Sequence, residues 1–359
     1  MEEPWLYIHP EFKLNDKGYS LPKLINLAEA IRMEGDAEEK LMAEFILEWL
    51  YPKESLLVST SGTTGSPKTL SLDKSKMIAS AKATGEYFTL LPGTKALLCL
   101  STNYIAGKLM VVRAMTLGWH LDVVTPNKQP LLQTKKEYDF TAMVPLQVQH
   151  SLKELHRVKK IIVGGTPISA VLEKQLQDIP TALFATYGMT ETITHIAIKK
   201  LNHKDETENN QDVYKALPGV SFALDDRNCL IITASAISKN KVVTNDVVQL
   251  FSKTSFQWLG RADFVINSAG HKVHPEQVEQ VLALVIDAPF FISSLPDPSL
   301  GDKVILVIEG NEDTFPEIDY VRLHPYEKPK EIYFVKELIY TTTGKINREE
   351  TKNKLFSKK

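Results

Sequence analysis

Ser59-Thr60-Ser61-Gly62-Thr63-Thr64-Gly65-Ser66-Pro67-Lys68 follows the apolar run Leu56-Leu57-Val58 and precedes a stretch whose spacing predicts a helix over 74–87. These ten residues hold six hydroxyl side chains and two glycines. Gly62 and Gly65 permit positive φ and close backbone approach, so consecutive amides can form a nest for an anion. The hydroxyls add donors for phosphate oxygens, and Lys68 adds positive charge. The glycine spacing is too short for the Gly-x-x-x-x-Gly-Lys-Ser/Thr nucleotide loop. On composition alone, a flexible Ser/Gly surface loop describes the stretch equally well.

Outward from this loop, short apolar runs at 97–100, 121–124 and 160–163 alternate with helical stretches. That alternation predicts an α/β domain with mostly parallel strands. Upstream, Leu24, Leu27 and Ile31, then Leu41, Phe45 and Leu47, recur at helical spacing on either side of a Gly35-Asp36 turn. The polar stretch 203–212 reads as a surface loop, and the texture after it is richer in strands. From Gly260 a small α+β pattern follows, with a helix expected over 275–286. The organisation expected is an N-terminal domain over 1–259 and a C-terminal domain over 260–359.

Composition narrows the class. A 359-residue chain that is 43% hydrophobic and 24% charged is ordinary for a globular protein, and a net charge of −2 argues against nucleic-acid binding. Cys99 and Cys229 supply neither a disulfide framework nor metal spacing and read as small buried thiols. His271 and His274 lack a third ligand nearby. The start Met1-Glu2-Glu3-Pro4-Trp5 lacks the basic and apolar regions of a signal peptide. No apolar run approaches the roughly 18 residues of a membrane span. The expectation is a cytoplasmic protein without nucleic-acid or membrane partners. A homodimer is left open.

The loop at 59–68 resembles the phosphate-binding loop of the adenylate-forming superfamily of acyl- and aryl-CoA ligases, luciferases and peptide-synthetase adenylation domains. Thr69 stands where that loop usually has glycine. Further stretches resemble the superfamily's other signatures in its order: Gly164-Gly165-Thr166-Pro167, Tyr187-Gly188-Met189-Thr190-Glu191-Thr192, Val243-Thr244-Asn245-Asp246, Gly260-Arg261-Ala262-Asp263, and Thr341-Thr342-Thr343-Gly344-Lys345. The resemblance implies a large α/β domain and a small α+β domain joined by a hinge at Asp263. It implies phosphate contacts from Thr60, Ser61, Gly62, Thr63, Thr64, Gly65 and Lys68, and an adenine-side loop at Gly165 and Thr166. In the Tyr187-Gly188 signature, Tyr187 would lie on the adenine face, Thr190 would donate to the α-phosphate, and Glu191 would hold Mg2+. Asp246 would take the ribose hydroxyls, Arg261 the ribose or phosphate, and Lys345 the catalytic role. Asn245 replaces a glycine, and asparagine is the other residue that best tolerates a left-handed backbone.

The implied reaction joins a carboxylic acid to coenzyme A, with ATP consumed through an acyl-adenylate. Near the acid, Asn103-Tyr104-Ile105-Ala106-Gly107-Lys108 lies where aryl-CoA ligases carry an aromatic-His-x-x-Gly segment, with Tyr104 in the histidine's place. Tyr104, Gly107 and Lys108 are the candidate substrate residues. The segments 103–113 and 187–194, with the short lead-in before residue 56, are most similar to the o-succinylbenzoate–CoA ligases of menaquinone biosynthesis. That acid has a second carboxylate, with which Lys108 or Arg113 would pair. The alternatives are another acyl-CoA ligase and a stand-alone enzyme loading a carrier-protein thiol. A degenerate nucleotide-binding protein is disfavoured by the retained Thr190, Glu191, Asp246, Arg261 and Lys345.

Overall fold

The computed structural model describes residues 3–59, 69–203, 212–238, 240–312, 315, 317–318, 320–341 and 346–357. The alternating apolar runs become parallel strands of one large sheet. Lys13–Leu14, His120–Val123, Lys95–Leu98, Tyr138–Met143, Val158–Val163 and Ala182–Gly188 lie side by side in that order. Both faces of these strands are covered, which is why they read as unbroken apolar runs. Ala96 and Leu98 join the core under helices Lys74–Phe88 and Ile105–Leu117, whereas Leu97 and Cys99 join a second core with Val148, Leu172 and Leu176. Burial pushes the Cys99 thiol up to about 12.

Past Ala182–Gly188 the sheet changes character. His195–Lys200, Tyr214–Ala216, Ser255–Arg261, Val242–Ser252, Cys229–Ala234 and Val220–Leu224 continue it antiparallel. The α/β class therefore holds, while the sheet is parallel over its first half only. The physical reason lies in the connections. Two residues separate Val242–Ser252 from Ser255–Arg261, and a parallel pair would need a crossover of about a dozen.

A second sheet is built around Gly301–Glu309, flanked by Phe290–Asp297 and Glu331–Val335. Its alternation is strict: Val304, Leu306 and Ile308 face the core with Val278 and Leu282, and Ile305 and Val307 face Leu338, Leu355 and Phe356. The expected helix over 275–286 is observed as Pro275–Leu282. The chain leaves the large sheet at Arg261 and enters the small one at Ile266, crossing through the short 3-10 turn Ala262–Phe264.

The lead-in helices Leu21–Glu34 and Ala37–Leu50 meet at Asp36, whose carboxylate accepts from Glu39 N at 2.8 Å while Glu39 accepts from Asp36 N at 2.9 Å. This reciprocal cap starts the second helix. Its other end meets Lys74, a fully buried ammonium that donates to the carbonyls of Glu48, Trp49 and Tyr51 at 2.7–2.8 Å. Burial draws this amine down to about 8. Lys74 also ends the strand Thr69–Asp73, which pairs antiparallel with Ser55–Ser59. Ser59 stands opposite Thr69 in this pair. No helix among the described residues is long and apolar enough to cross a membrane.

Replacing Lys74 by Met leaves three helix-end carbonyls without a donor. Thermal unfolding should show a loss of about 2 kcal/mol, a fall of roughly 5 °C in midpoint. An unchanged midpoint would remove Lys74 from this capping role.

Candidate active site

Parallel strands leave their carboxyl ends open as a binding edge, and two neighbouring strand ends carry the expected motifs. Val158–Val163 runs into Gly164, Gly165 and Thr166. Thr186 of the next strand donates to Val163 O at 3.1 Å, and its hydroxyl lies 2.4 Å from where a Cβ on Gly164 would be. Gly165 takes a left-handed φ of 93°, leaving Thr166 exposed at the edge. The neighbour Ala182–Gly188 delivers the second signature. A Cβ at Gly188 would sit 2.3 Å from Thr194 O and 2.5 Å from His195 Cα, so glycine is required by close backbone approach.

Thr190–Thr192 forms a single 3-10 turn whose Thr192 hydroxyl accepts from Met189 N at 3.0 Å. Ile193 follows at φ 66°, ψ −55°, a strained conformation for a β-branched residue, and its side chain is buried. Thr190 is half-buried and Glu191 is exposed. Mg2+ takes one or two carboxylates and completes its octahedron with phosphate oxygens and water. A lone exposed carboxylate at the strand end fits that donor set. Among the described residues no group of three or more His, Cys, Asp or Glu forms a metal cage.

The geometric centre of the site is Asp246, 7% exposed on the strand Val242–Ser252. Tyr187 donates its hydroxyl to Asp246 Oδ2 at 2.5 Å, and Trp258 donates Nε1 to Oδ1 at 3.2 Å. Arg261, directly opposite Asp246 on the neighbouring strand, places Nη1 3.7 Å from Oδ1. Burial and then the Asp246 charge hold the Tyr187 phenol well above its ordinary value, so it remains a donor. Its ring packs edge-on to Phe256 at 5.1 Å and tilted against Tyr214 at 5.8 Å.

The hinge candidate is wired to the same group. Arg261 Nη2 donates to Asp263 Oδ2 at 3.0 Å, and Asn245 Nδ2 donates to Asp263 Oδ1 at 3.4 Å. Asn245 does not adopt a left-handed backbone; it lies within the extended strand Val242–Ser252. The left-handed rationale for asparagine here is therefore replaced by its side chain, which also accepts from Arg227 Nη1 at 3.1 Å. Two residues of the site escaped the sequence reading. Trp258 looks like any strand tryptophan until the sheet register sets it diagonal to Asp246. Glu276 accepts from Arg261 N at 3.2 Å across the junction, and its carboxylate occupies the space a Cβ on Gly260 would need, 2.3 Å away.

Thr60, Ser61, Gly62, Thr63, Thr64, Gly65 and Lys68 lie outside the described residues, as does Lys345. Beside Lys345, Tyr340 and Ile346 form an antiparallel bridge and Arg348 pairs with Glu279 at 2.7 Å. On the acid side, Tyr104 is 62% exposed and precedes the helix Ile105–Leu117. Gly107 has a packing reason, since a Cβ there would meet Ser101 O at 2.3 Å. Lys108 turns toward the lead-in, 3.8 Å from Glu48 Oε2 and 4.9 Å over the Phe45 ring. Arg113 points inward and is 1% exposed.

The AMP-binding enzyme family profile matches residues 43–230, just over half of the chain. A 2-succinylbenzoate–CoA ligase of Lactococcus lactis is 24% identical over 323 residues, covering 84% of this chain and 71% of that protein. The crystal structure of an AMP-forming acyl-CoA synthetase/AMP-acid ligase II-like protein from Dyadobacter fermentans is 37% identical, covers 92% of this chain and 98% of that one, and has a TM-score of 0.62. An o-succinylbenzoate coenzyme A synthetase of Bacillus subtilis in complex with AMP shares the fold at a TM-score of 0.77, with 15% identity and 98% of each chain covered. The chain belongs to the AMP-binding enzymes, within the adenylate-forming acyl/aryl-CoA ligase superfamily.

Proposed function

We propose that the protein activates a small aromatic carboxylic acid with ATP and passes the acyl group to coenzyme A, the acid being o-succinylbenzoate in menaquinone biosynthesis. The observation that carries the nucleotide half is the buried Asp246 carboxylate, gathered with Tyr187, Trp258 and Arg261, with the exposed Glu191 four residues after Tyr187 in the chain. Support for the acid comes from the Lactococcus lactis relative, whose name gives 2-succinylbenzoate and coenzyme A.

In this reading a carboxylate oxygen attacks the α-phosphorus of ATP, pyrophosphate leaves, and an acyl-adenylate forms. Two anions approach, so the protein's task is positioning and charge neutralisation. Thr190 donates to the α-phosphate, the 60–68 segment receives the β- and γ-phosphates, and Lys345 bridges carboxylate and phosphate. When bound, Mg2+ screens phosphate charge, and Glu191 is the residue that would hold it. The nucleophile is already ionised, so no general base is required. The thiol of coenzyme A then attacks the acyl carbonyl, AMP departs and the thiol proton is released. Residues 260–359 act as a mobile domain on 1–259, turning about Asp263 between the two steps.

Hydroxylamine trapping with ATP across a panel of acids tests the reading: o-succinylbenzoate should give the strongest hydroxamate signal and an ATP-dependent thioester with coenzyme A. A different preferred acid overturns the substrate, and thioester on a carrier protein but not on coenzyme A overturns the acceptor. Lys345→Ala should abolish adenylate formation while still converting preformed acyl-adenylate to thioester; a variant that adenylates normally removes Lys345 from its role. Asp246→Asn should raise the KM for ATP by roughly 10–100-fold, the worth of a hydrogen bond to a charged group. An unchanged KM would leave Asp246 as a purely structural carboxylate.

A further inference from the structure

The helix Pro275–Leu282 of the small domain docks on the strand Ser255–Arg261 of the large sheet through polar contacts at its first turn. Gln277 Nε2 donates to Trp258 O at 3.2 Å, and Arg261 N donates to Glu276 Oε1 at 3.2 Å. The second Glu276 oxygen, Oε2, is buried against Gly260 and has no hydrogen-bond partner among the described residues. A buried carboxylate oxygen without a donor is costly while it carries charge, and protonation relieves that cost.

The charges around Glu276 do not relieve it. Glu279 lies one turn further along the same helix face and takes the nearest cation. Arg348, from the helix Arg348–Phe356, commits Nη2 to Glu279 Oε2 at 2.7 Å and lies 4.8 Å over the Phe264 ring. Glu279 also accepts from Ile292 N at 2.7 Å, so it is anchored within the small domain. Across the junction, the Arg261 guanidinium is turned to Asp246 and Asp263. His274, at the start of the helix, faces Lys272 and Glu327. Burial therefore dominates at both carboxyls: it pushes Glu276 above its ordinary 4.5 and Glu279 up to about 7, with Arg348 opposing it at each.

We infer that Glu276 is a positioning residue that works as a proton-operated latch: protonated, it keeps the helix Pro275–Leu282 docked on Arg261, and as an anion it loosens that docking. Linkage sets the direction. A carboxyl whose docked value lies above its ordinary one holds its proton more tightly when docked, so the contact has full strength below 4.5 and weakens as pH rises. Above about 7 Glu279 is charged as well, and the two carboxylates repel. Because Arg261 also serves Asp246 and Asp263 with its side chain, the proton on Glu276 governs how firmly the hinge end of the large sheet is held. The latch does not depend on the ligase reading; only its bearing on the turn about Asp263 does.

Amide hydrogen exchange at Arg261 tests it, followed by NMR on the full chain and corrected for the pH dependence of free amides, with the strand Val158–Val163 as internal reference. Protection of the Arg261 amide should be greatest near about pH 5 and fall by about pH 8, while the reference strand keeps its protection. Glu276→Gln keeps the acceptor and cannot ionise, so it should hold the low-pH protection throughout. Glu276→Ala should lose that protection at every pH with the reference strand still protected. Protection at Arg261 that is independent of pH in the unaltered protein, or a Glu276→Gln variant that loses protection over the same pH range, would overturn the latch and leave Glu276 a structural carboxylate. Hydroxamate from no acid at all would overturn the ligase reading and leave the exchange result standing.

Discussion

The site hangs on one buried carboxylate. Asp246 has left water, and its charge is tolerable only because a phenol, an indole and a guanidinium converge on it. They come from two separate stretches of chain: Tyr187 from the last parallel strand, Trp258 and Arg261 from one antiparallel hairpin arm. The carboxylate therefore fixes how the two halves of the large sheet meet. Because the Arg261 guanidinium also reaches Asp263, the electrostatics of the Asp246 cluster and of the junction with the small sheet are shared. A change in one is felt by the other without any intervening rearrangement.

Close backbone approach is the second constraint. The strand ends are crowded by their neighbours, which is why Gly164 and Gly188 lack side chains and why Ile193 accepts an unfavourable backbone. Such strain persists where surrounding packing over-determines it, and here the adenylation signature lies between the crowded glycine and the strained isoleucine. The buried cations make a similar contrast. Lys74 is fully satisfied by helix-end carbonyls, whereas one Arg113 guanidinium nitrogen has no partner among the described residues.

Much of this was legible in the chain. The apolar runs at 97–100 and 160–163 announced covered strands, and the ordered signatures announced an AMP-binding enzyme. What was not legible depends on register. Tyr187 and Asp246 are 59 residues apart, and nothing local says that the hydroxyl of one is committed to the carboxylate of the other. Trp258 carried no signal because a strand tryptophan is ordinarily core. Asn245 was read through backbone tolerance, yet its extended position makes the side-chain amide the relevant group. Lys108 and Arg113 were equivalent as letters; only burial and the presence of Glu48 separate them. The mixed sheet was missed for a related reason, since apolar runs do not record strand direction.

The empty corner at Gly260 has a consequence for how the chain can vary. A methyl group there and the Glu276 carboxylate would claim the same volume. Gly260 also holds a φ of 154°, where any other residue is strained, so a shorter residue at 276 would relieve the clash without making alanine acceptable. Divergence along this lineage should therefore keep glycine at 260 whatever residue stands at 276, on the far side of the passage from one sheet to the other.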